Sequence, residues 1–190
     1  MSITTRKGDT GHTDLLYGQR APKSHPRIHA LGAIDELNAA LGLLRVHAAR
    51  PLTRDTCARV QPWLIELMGE LATPPGFEER YARSHPRSLG PGEVAWLDGT
   101  APQLEPRGAL QLEVGASPGA AGSLPGAHAD AARTVCRRAE RHLAGLADTP
   151  DALPNPDILR FLNRLSDLLW LLARWEELPG GQGDSGASDQ

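Results

Sequence analysis

One segment near the C-terminus can be accommodated only deep inside a helical protein. Leu159, Phe161, Leu162, Leu165, Leu168, Leu169, Leu171 and Leu172 surround most of the circumference of a helix, and a helix that is apolar nearly all round must be covered by other elements. Its start is marked by Asn155 as N-cap, Pro156 at the first helical position and Asp157 in the first turn, each suited to the unpaired amides and positive end found there. The pattern predicts a helix running to about Glu177, the most buried of the chain.

Its partners are legible in the same way. From Pro26, Ile28, Leu31, Ile34, Leu37, Leu41 and Leu44 recur at spacings of three and four, one apolar stripe on a helix reaching about Ala49. Between about His128 and Leu146, Ala132, Val135, Cys136, Ala139, Leu143 and Leu146 form a second stripe, while Arg133, Arg137, Arg138 and Arg141 make the remaining surface basic. A third pattern, Val60, Leu64, Leu67, Met68 and Leu71, covers roughly Asp55 to Ala72, with Pro62 expected to kink it or mark its start. Between Thr73 and Gly126, rich in Pro and Gly, only Pro91 to Leu97 reads as helical. There is no βαβ alternation and no internal repeat. The expected fold is all-α, a bundle of about five helices forming one domain over 1–178, with an N-terminal loop over 4–18 and a Gly/Ser/Asp tail over 179–190 expected to be disordered.

A formal charge of −3 over 190 residues argues against a broad nucleic-acid or anionic-membrane surface, so any phosphate site must be a local basic cluster. Cys57 and Cys136 show no metal-type spacing and give no disulfide framework, which suits a reducing cytoplasm. The first residues lack the apolar core of a secretory signal, and no run of about 18 apolar residues appears. Among the seven histidines only His25 and His29 are at helical spacing, with Pro26 between them, so no structural metal is expected.

Three places carry chemistry. The loop Thr5-Arg6-Lys7-Gly8-Asp9-Thr10-Gly11-His12-Thr13 combines glycines, which allow close backbone approach, with hydroxyls and cations that suit phosphate oxygens. It lacks the P-loop spacing, and a Gly/Thr-rich N-terminus taken alone is more often just a flexible loop. On the first helix Asp35 and Asn38 sit at the edge of the apolar stripe, where a buried carboxylate would require an arginine or a helix terminus; a solvated edge is the plain alternative. On the basic helix Arg133, Arg137 and Glu140, at i, i+4 and i+7, line one flank of the apolar face. Arginine forks there suit phosphate or carboxylate, although a solvated face with intrahelical ion pairs is compatible too. Asn163, Asp167, Trp170 and Arg174 form a polar seam on the last helix, either a network between helices or part of a ligand site.

Taken together, T-R-K-G-D-T-G-H-T at Thr5 to Thr13, G-A-I-D-E-L-N-A-A-L-G at Gly32 to Gly42, A-R-T-V-C-R-R-A-E-R at Ala132 to Arg141 and F-L-N-R-L-S-D-L-L-W at Phe161 to Trp170 resemble the PduO-type ATP:cob(I)alamin adenosyltransferases, over about half of the chain. The resemblance implies a homotrimer of helical bundles with active sites between subunits. It implies that Thr5, Arg6, Lys7, Gly8, Thr13, Lys23, Arg137, Arg138, Glu140 and Asn163 bind ATP and its Mg²⁺, that Asp35 pairs with Arg133, and that Asp35, Arg133 and Arg137 serve the reaction. In that reaction Co(I) of a reduced corrinoid, cobalamin or a relative, attacks C5′ of ATP and expels triphosphate. Where the family usually has F-x-L-P-G-G, with the phenylalanine under the corrin, this chain has Leu112-Glu113-Val114-Gly115-Ala116-Ser117 and no aromatic residue between Trp96 and Phe161. A nucleotide-binding homologue that has lost corrinoid activation is therefore the alternative to an enzyme.

Overall fold

The computed structural model describes Thr4 and residues 6–85, 89–104 and 117–179. In chain order these form β1 (His12–Asp14), β2 (Arg20–Pro22), α1 (Pro26–His47), α2 (Pro51–Ala72), α3 (Glu78–Ser84), α4 (Pro91–Thr100), α5 (Leu124–Ala144) and α6 (Asp157–Glu177). The bundle is built from α1, α2, α5 and α6, with α5 lying between α1 and α6, and α4 covering α6. Only Ala48, Ala49 and Arg50 join α1 to α2, which makes them antiparallel neighbours. Ring stacks of His29 on His142 and His47 on His128, with centroids 6.0 and 4.9 Å apart, show that α1 and α5 are antiparallel too.

The expected order of burial holds. On α6, Phe161, Leu162, Leu165, Leu168, Leu169 and Leu172 are fully buried, facing Ile34, Leu37, Leu41 and Leu44 of α1 and the small residues Ala132, Cys136 and Ala139 of α5 in one core. Each large aliphatic side chain removed from water contributes about 1.5–3 kcal/mol, so this core dominates the stability. Trp63 closes it on the α2 side, edge-on to both Phe161 and Trp96. Asn155 caps α6 as expected, its Oδ1 accepting from the Asp157 amide at 3.1 Å.

Several elements differ from the sequence reading. Helix α2 begins at Pro51 and runs through Pro62. Its first turns bury Thr53, Thr56 and Cys57, small residues that do not register as an apolar stripe, and its entry is capped by Glu176, whose carboxylate accepts from the Ala49 and Arg50 amides at 3.1 and 3.2 Å. Helix α5 starts at Leu124, where Ser123 Oγ accepts from the Gly126 amide at 3.1 Å. Helix α4 extends to Thr100. The loop over 4–18 contributes a strand, with His12, Thr13 and Asp14 opposite Pro22, Ala21 and Arg20; strands of three residues are too short to show alternation. Helix α3 had no periodic signal, and it packs through Tyr81 against Gly69, where a Cβ would overlap the Tyr81 ring. The tail from residue 180 and segment 112–116 lie outside the described residues.

Candidate functional site

The N-terminal loop is shaped by backbone bonds before any ligand is considered. The Asp9 amide donates to the Arg6 carbonyl and the Gly11 amide to that of Gly8, each at 3.2 Å. Arg6 and Gly11 have positive φ angles of 59° and 76°, which Gly11 tolerates without strain. The Lys23 amide donates to Gly11 O at 2.8 Å, and the Lys23 ammonium stands over Gly8 so closely that a Cβ at that position would lie 3.0 Å from Nζ. Arg20 donates to Lys7 O at 2.9 Å and pairs with Asp14 at 3.0 Å. The far bend is fastened by Tyr17, stacked on Phe77 with centroids 5.3 Å apart and covered by Arg80 at 4.4 Å. Arg6, Lys7, Gly8 and Lys23 are thus gathered at one cationic turn, with Thr13 in the strand that follows it; Thr5 lies outside the described residues.

A second group lies in the groove between α5 and α6. Asn163 Nδ2 approaches Glu140 Oε1 at 3.4 Å, and Asn163 Oδ1 accepts from Arg164 at 2.9 Å. One turn before Glu140 stands Arg137, exposed and, among the described residues, without a hydrogen bond or ion pair. Arg138, one residue and about 100° further round the helix, turns the other way and pairs with Glu36 of α1. It therefore faces the α1 side and not the Arg137 groove. No hydrogen bond, ion pair or ring contact among the described residues joins the N-terminal turn to Arg137, Glu140 or Asn163.

The expected pairing of Asp35 with Arg133 does not form within the chain. Asp35 is exposed, and Arg133 Nε instead donates to Asp130 Oδ1 at 3.0 Å. The demand of a buried carboxylate is real but belongs to Asp130, which is 2% exposed and is also held by Arg174 Nη2 at 2.7 Å. Arg174 in turn pairs with Glu177 at 2.5 and 2.7 Å, so its place in the α6 seam is structural. Asp167 of the same seam is exposed. Sequence reasoning passed over Asp130 because an aspartate three residues from an arginine on a basic helix reads as an ordinary surface pair.

Neither cysteine offers a nucleophile. Burial pushes the Cys57 thiol up to about 12 and raises that of Cys136 as well, so both remain protonated and inert. Among the described residues no group of three His, Cys, Asp or Glu side chains could hold a metal ion. A magnesium ion carried by phosphate oxygens needs one or two protein oxygens; Glu140, the carboxylate beside Arg137, is a residue that could supply one.

A hollow of about 260 Å³ between α2, α3 and the approach to α6, walled by Glu70, Tyr81, His85 and Leu153 among others, contains none of these residues. Burial pushes the Glu70 carboxyl there above its ordinary value of 4.5, against an opposing hydrogen bond from Asn155. An acid whose folded pKa is raised holds its proton more tightly in the native state. Its stabilising share is thus complete below the unfolded pKa and is lost as pH rises through the folded one. Glu70→Gln should accordingly raise the thermal midpoint near pH 8 and lose that advantage toward pH 4. A gain independent of pH would show that the carboxyl is not the cause.

Comparison with known proteins identifies the relatives of this chain. The family model described as cobalamin adenosyltransferase matches residues 3–176. The chain is 40% identical over 188 residues to the cobalamin adenosyltransferase of Cupriavidus metallidurans, covering 96% of this chain and 91% of that protein. It is 38% identical over 180 residues to the corrinoid adenosyltransferase PduO of Salmonella typhimurium, covering 93% of this chain and 50% of that protein; the chain thus spans about half the length of that relative. Among solved structures, a phenylalanine-to-alanine variant of the PduO-type ATP:corrinoid adenosyltransferase of Lactobacillus reuteri, complexed with cobalamin and ATP, superposes with a TM-score of 0.78 at 29% identity, covering 92% of each chain.

Proposed function

The chain belongs to the cobalamin adenosyltransferase family, and from that premise we propose that it transfers the 5′-deoxyadenosyl group of ATP to cob(I)alamin or a related corrinoid, releasing triphosphate. The observation that carries the proposal is the Arg137 guanidinium, exposed and without a hydrogen bond or ion pair among the described residues, beside the Glu140–Asn163 pair on a protein that also carries a cationic turn around Gly8.

In this reaction the cobalt supplies the electron pair, the new bond forms between cobalt and C5′, and the C5′–O bond to the triphosphate breaks. The protein adds no covalent step, which agrees with two buried, protonated thiols. Its work is to place C5′ in line with the cobalt and to hold the charge that collects on the leaving triphosphate. Arg137 supplies a fork for phosphate oxygens, Lys23 and the turn over residues 6–11 supply a point charge and backbone amides, and Glu140 with Asn163 orients ATP and the Mg²⁺ it carries. Thr5, Thr13 and Arg138 complete the set; Arg138 would have to leave Glu36 to reach a phosphate.

The separation of the two groups of residues supports a homotrimer in which the N-terminal turn of one subunit meets the α5–α6 groove of the next. Asp35, exposed and, among the described residues, without an ion pair, would meet Arg133 across such an interface, where Arg133 would have to share or leave its bond to Asp130. Two free, buried cysteines agree with a reducing cytoplasm, and no helix among the described residues is long and apolar enough to cross a membrane.

The test is anaerobic. Protein is supplied with ATP, Mg²⁺ and chemically reduced cob(I)alamin, the corrinoid spectrum is followed, and ATP is titrated in parallel. Conversion to adenosylcobalamin is expected. Binding of ATP without conversion would favour the alternative, a nucleotide-binding homologue without corrinoid activation, and absence of both would overturn the two readings together.

A further inference from the structure

The root of the N-terminal turn is fastened from a part of the chain that none of the ligand-binding residues occupies. Arg27, in the first turn of α1, is 2% exposed. Its Nη1 donates to the carbonyls of Leu71 and Thr73 at 3.3 and 3.1 Å, its Nε to Asp151 Oδ1 at 3.2 Å, and its Nη2 to the Asp151 carbonyl at 2.7 Å. His25 joins the same knot. Its Nδ1 accepts from the Arg27 amide at 3.3 Å and so caps α1. An accepting Nδ1 puts the ring proton on Nε2, the edge that faces Asp151 Oδ2 at 3.6 Å.

From His25 the connection to the phosphate cradle is short and continuous. The His25 amide donates to Pro22 O at 3.0 Å, the Lys23 amide to Gly11 O at 2.8 Å, and the Lys23 ammonium lies over Gly8. The turn itself is exposed and rich in Gly and Thr, so it buries little of its own surface and takes its order from its anchors. One anchor is the Tyr17–Phe77 stack at the far bend. The other is the knot at Asp151.

We infer that Asp151, from the connection between α5 and α6, is a positioning residue for ATP: by holding Arg27 and His25 it sets the angle at which the chain runs from β2 into α1, and hence where Lys23 holds its charge over Gly8. The inference rests on the proposed ATP site. Its physical content is preorganisation: a turn already ordered by Asp151 does not have to be ordered by the nucleotide.

A general loss of stability must be separated from a loss of positioning, and the opposite end of the bundle supplies the control. Glu176→Gln weakens the cap on α2 far from the turn. Asp151→Asn and Glu176→Gln are compared with wild type by titration of Mg·ATP and by hydrogen exchange of the Lys23 amide. Asp151→Asn should bind ATP about 10-fold more weakly and exchange the Lys23 amide faster, while Glu176→Gln stays within about twofold on ATP and leaves that amide protected. If Asp151→Asn does not fold, His25→Ala, which keeps the Arg27–Asp151 pair, decides by the same two readouts. Unchanged exchange at Lys23, or an equal loss of ATP affinity in Glu176→Gln, would overturn the inference. Failure of the wild-type protein to bind ATP would instead remove the ATP site, with the exchange result still judging whether Asp151 orders the turn.

Discussion

Replacing Arg137 by alanine should weaken ATP binding by roughly 10- to 100-fold while leaving the thermal midpoint and helical content unchanged. The argument follows from what Arg137 does and does not touch. It is exposed on α5 and, among the described residues, makes no hydrogen bond or ion pair, so its removal orphans nothing in the apo protein. Hydrogen bonds to charged groups contribute about 1.5–3 kcal/mol each, and a fork engaging a triphosphate is worth at least one of them, which is about one to two powers of ten. Arg137→Lys should recover only part of the loss, since an ammonium keeps the charge but not the planar fork. Calorimetric titration of Mg·ATP checks this directly. An affinity equal to that of wild type would take Arg137 out of the site and, with it, the observation that carries the proposed function.

How the sequence revealed the fold, and where it fell short, has a common physical cause. Long stripes of leucine and isoleucine report burial directly, and α1, α5 and α6 followed from them to within a few residues. What the stripes do not report is burial achieved by small or polar residues. Thr53, Thr56 and Cys57 line the start of α2, and a helix that buries threonines looks solvated on paper. Tyr81 anchors α3 by filling the space that Gly69 leaves open, a relation between residues twelve apart that no periodicity contains. The same holds for the candidate site. Arg137, Glu140 and Asn163 were named from the sequence because the helical spacing and the family resemblance agreed, and the fold brings Glu140 and Asn163 into contact. Arg27 and Asp151, 124 positions apart, were out of reach, because an arginine after a proline and an aspartate in a polar connection carry no local sign of being joined. The Asp35–Arg133 pairing shows the converse. Within the single chain the carboxylate that is buried and held by arginines is Asp130, which depends on how α5 meets α6; the Asp35–Arg133 pair is left to the proposed contact between subunits.

Asp130 is therefore where a small change should cost the fold most. Its carboxylate, 2% exposed, accepts from Arg133 Nε at 3.0 Å and Arg174 Nη2 at 2.7 Å. Asp130→Ala leaves the 8% exposed Arg174 with Glu177 as its one carboxylate partner among the described residues and takes away the partner of Arg133. Removing one partner of a buried pair typically costs about 3–5 kcal/mol, and the two surviving Glu177 bonds place this case near 3 kcal/mol by that scale. For a chain of this size that is a fall in thermal midpoint of about 6–12 °C. The loss is the cost of an orphaned charge, and not the worth of the bond, so it should be smaller where that charge is already gone. Asp130→Ala combined with Arg174→Met should cost less than the sum of the two single changes, because in the double variant no buried arginine is left without its aspartate; what remains is the cost of Glu177, which loses its partner with Arg174. A double-mutant cycle in urea measures this coupling. Strictly additive losses would mean that Asp130 and Arg174 stabilise the α5–α6 contact independently, and that the buried ion network does not act as one unit.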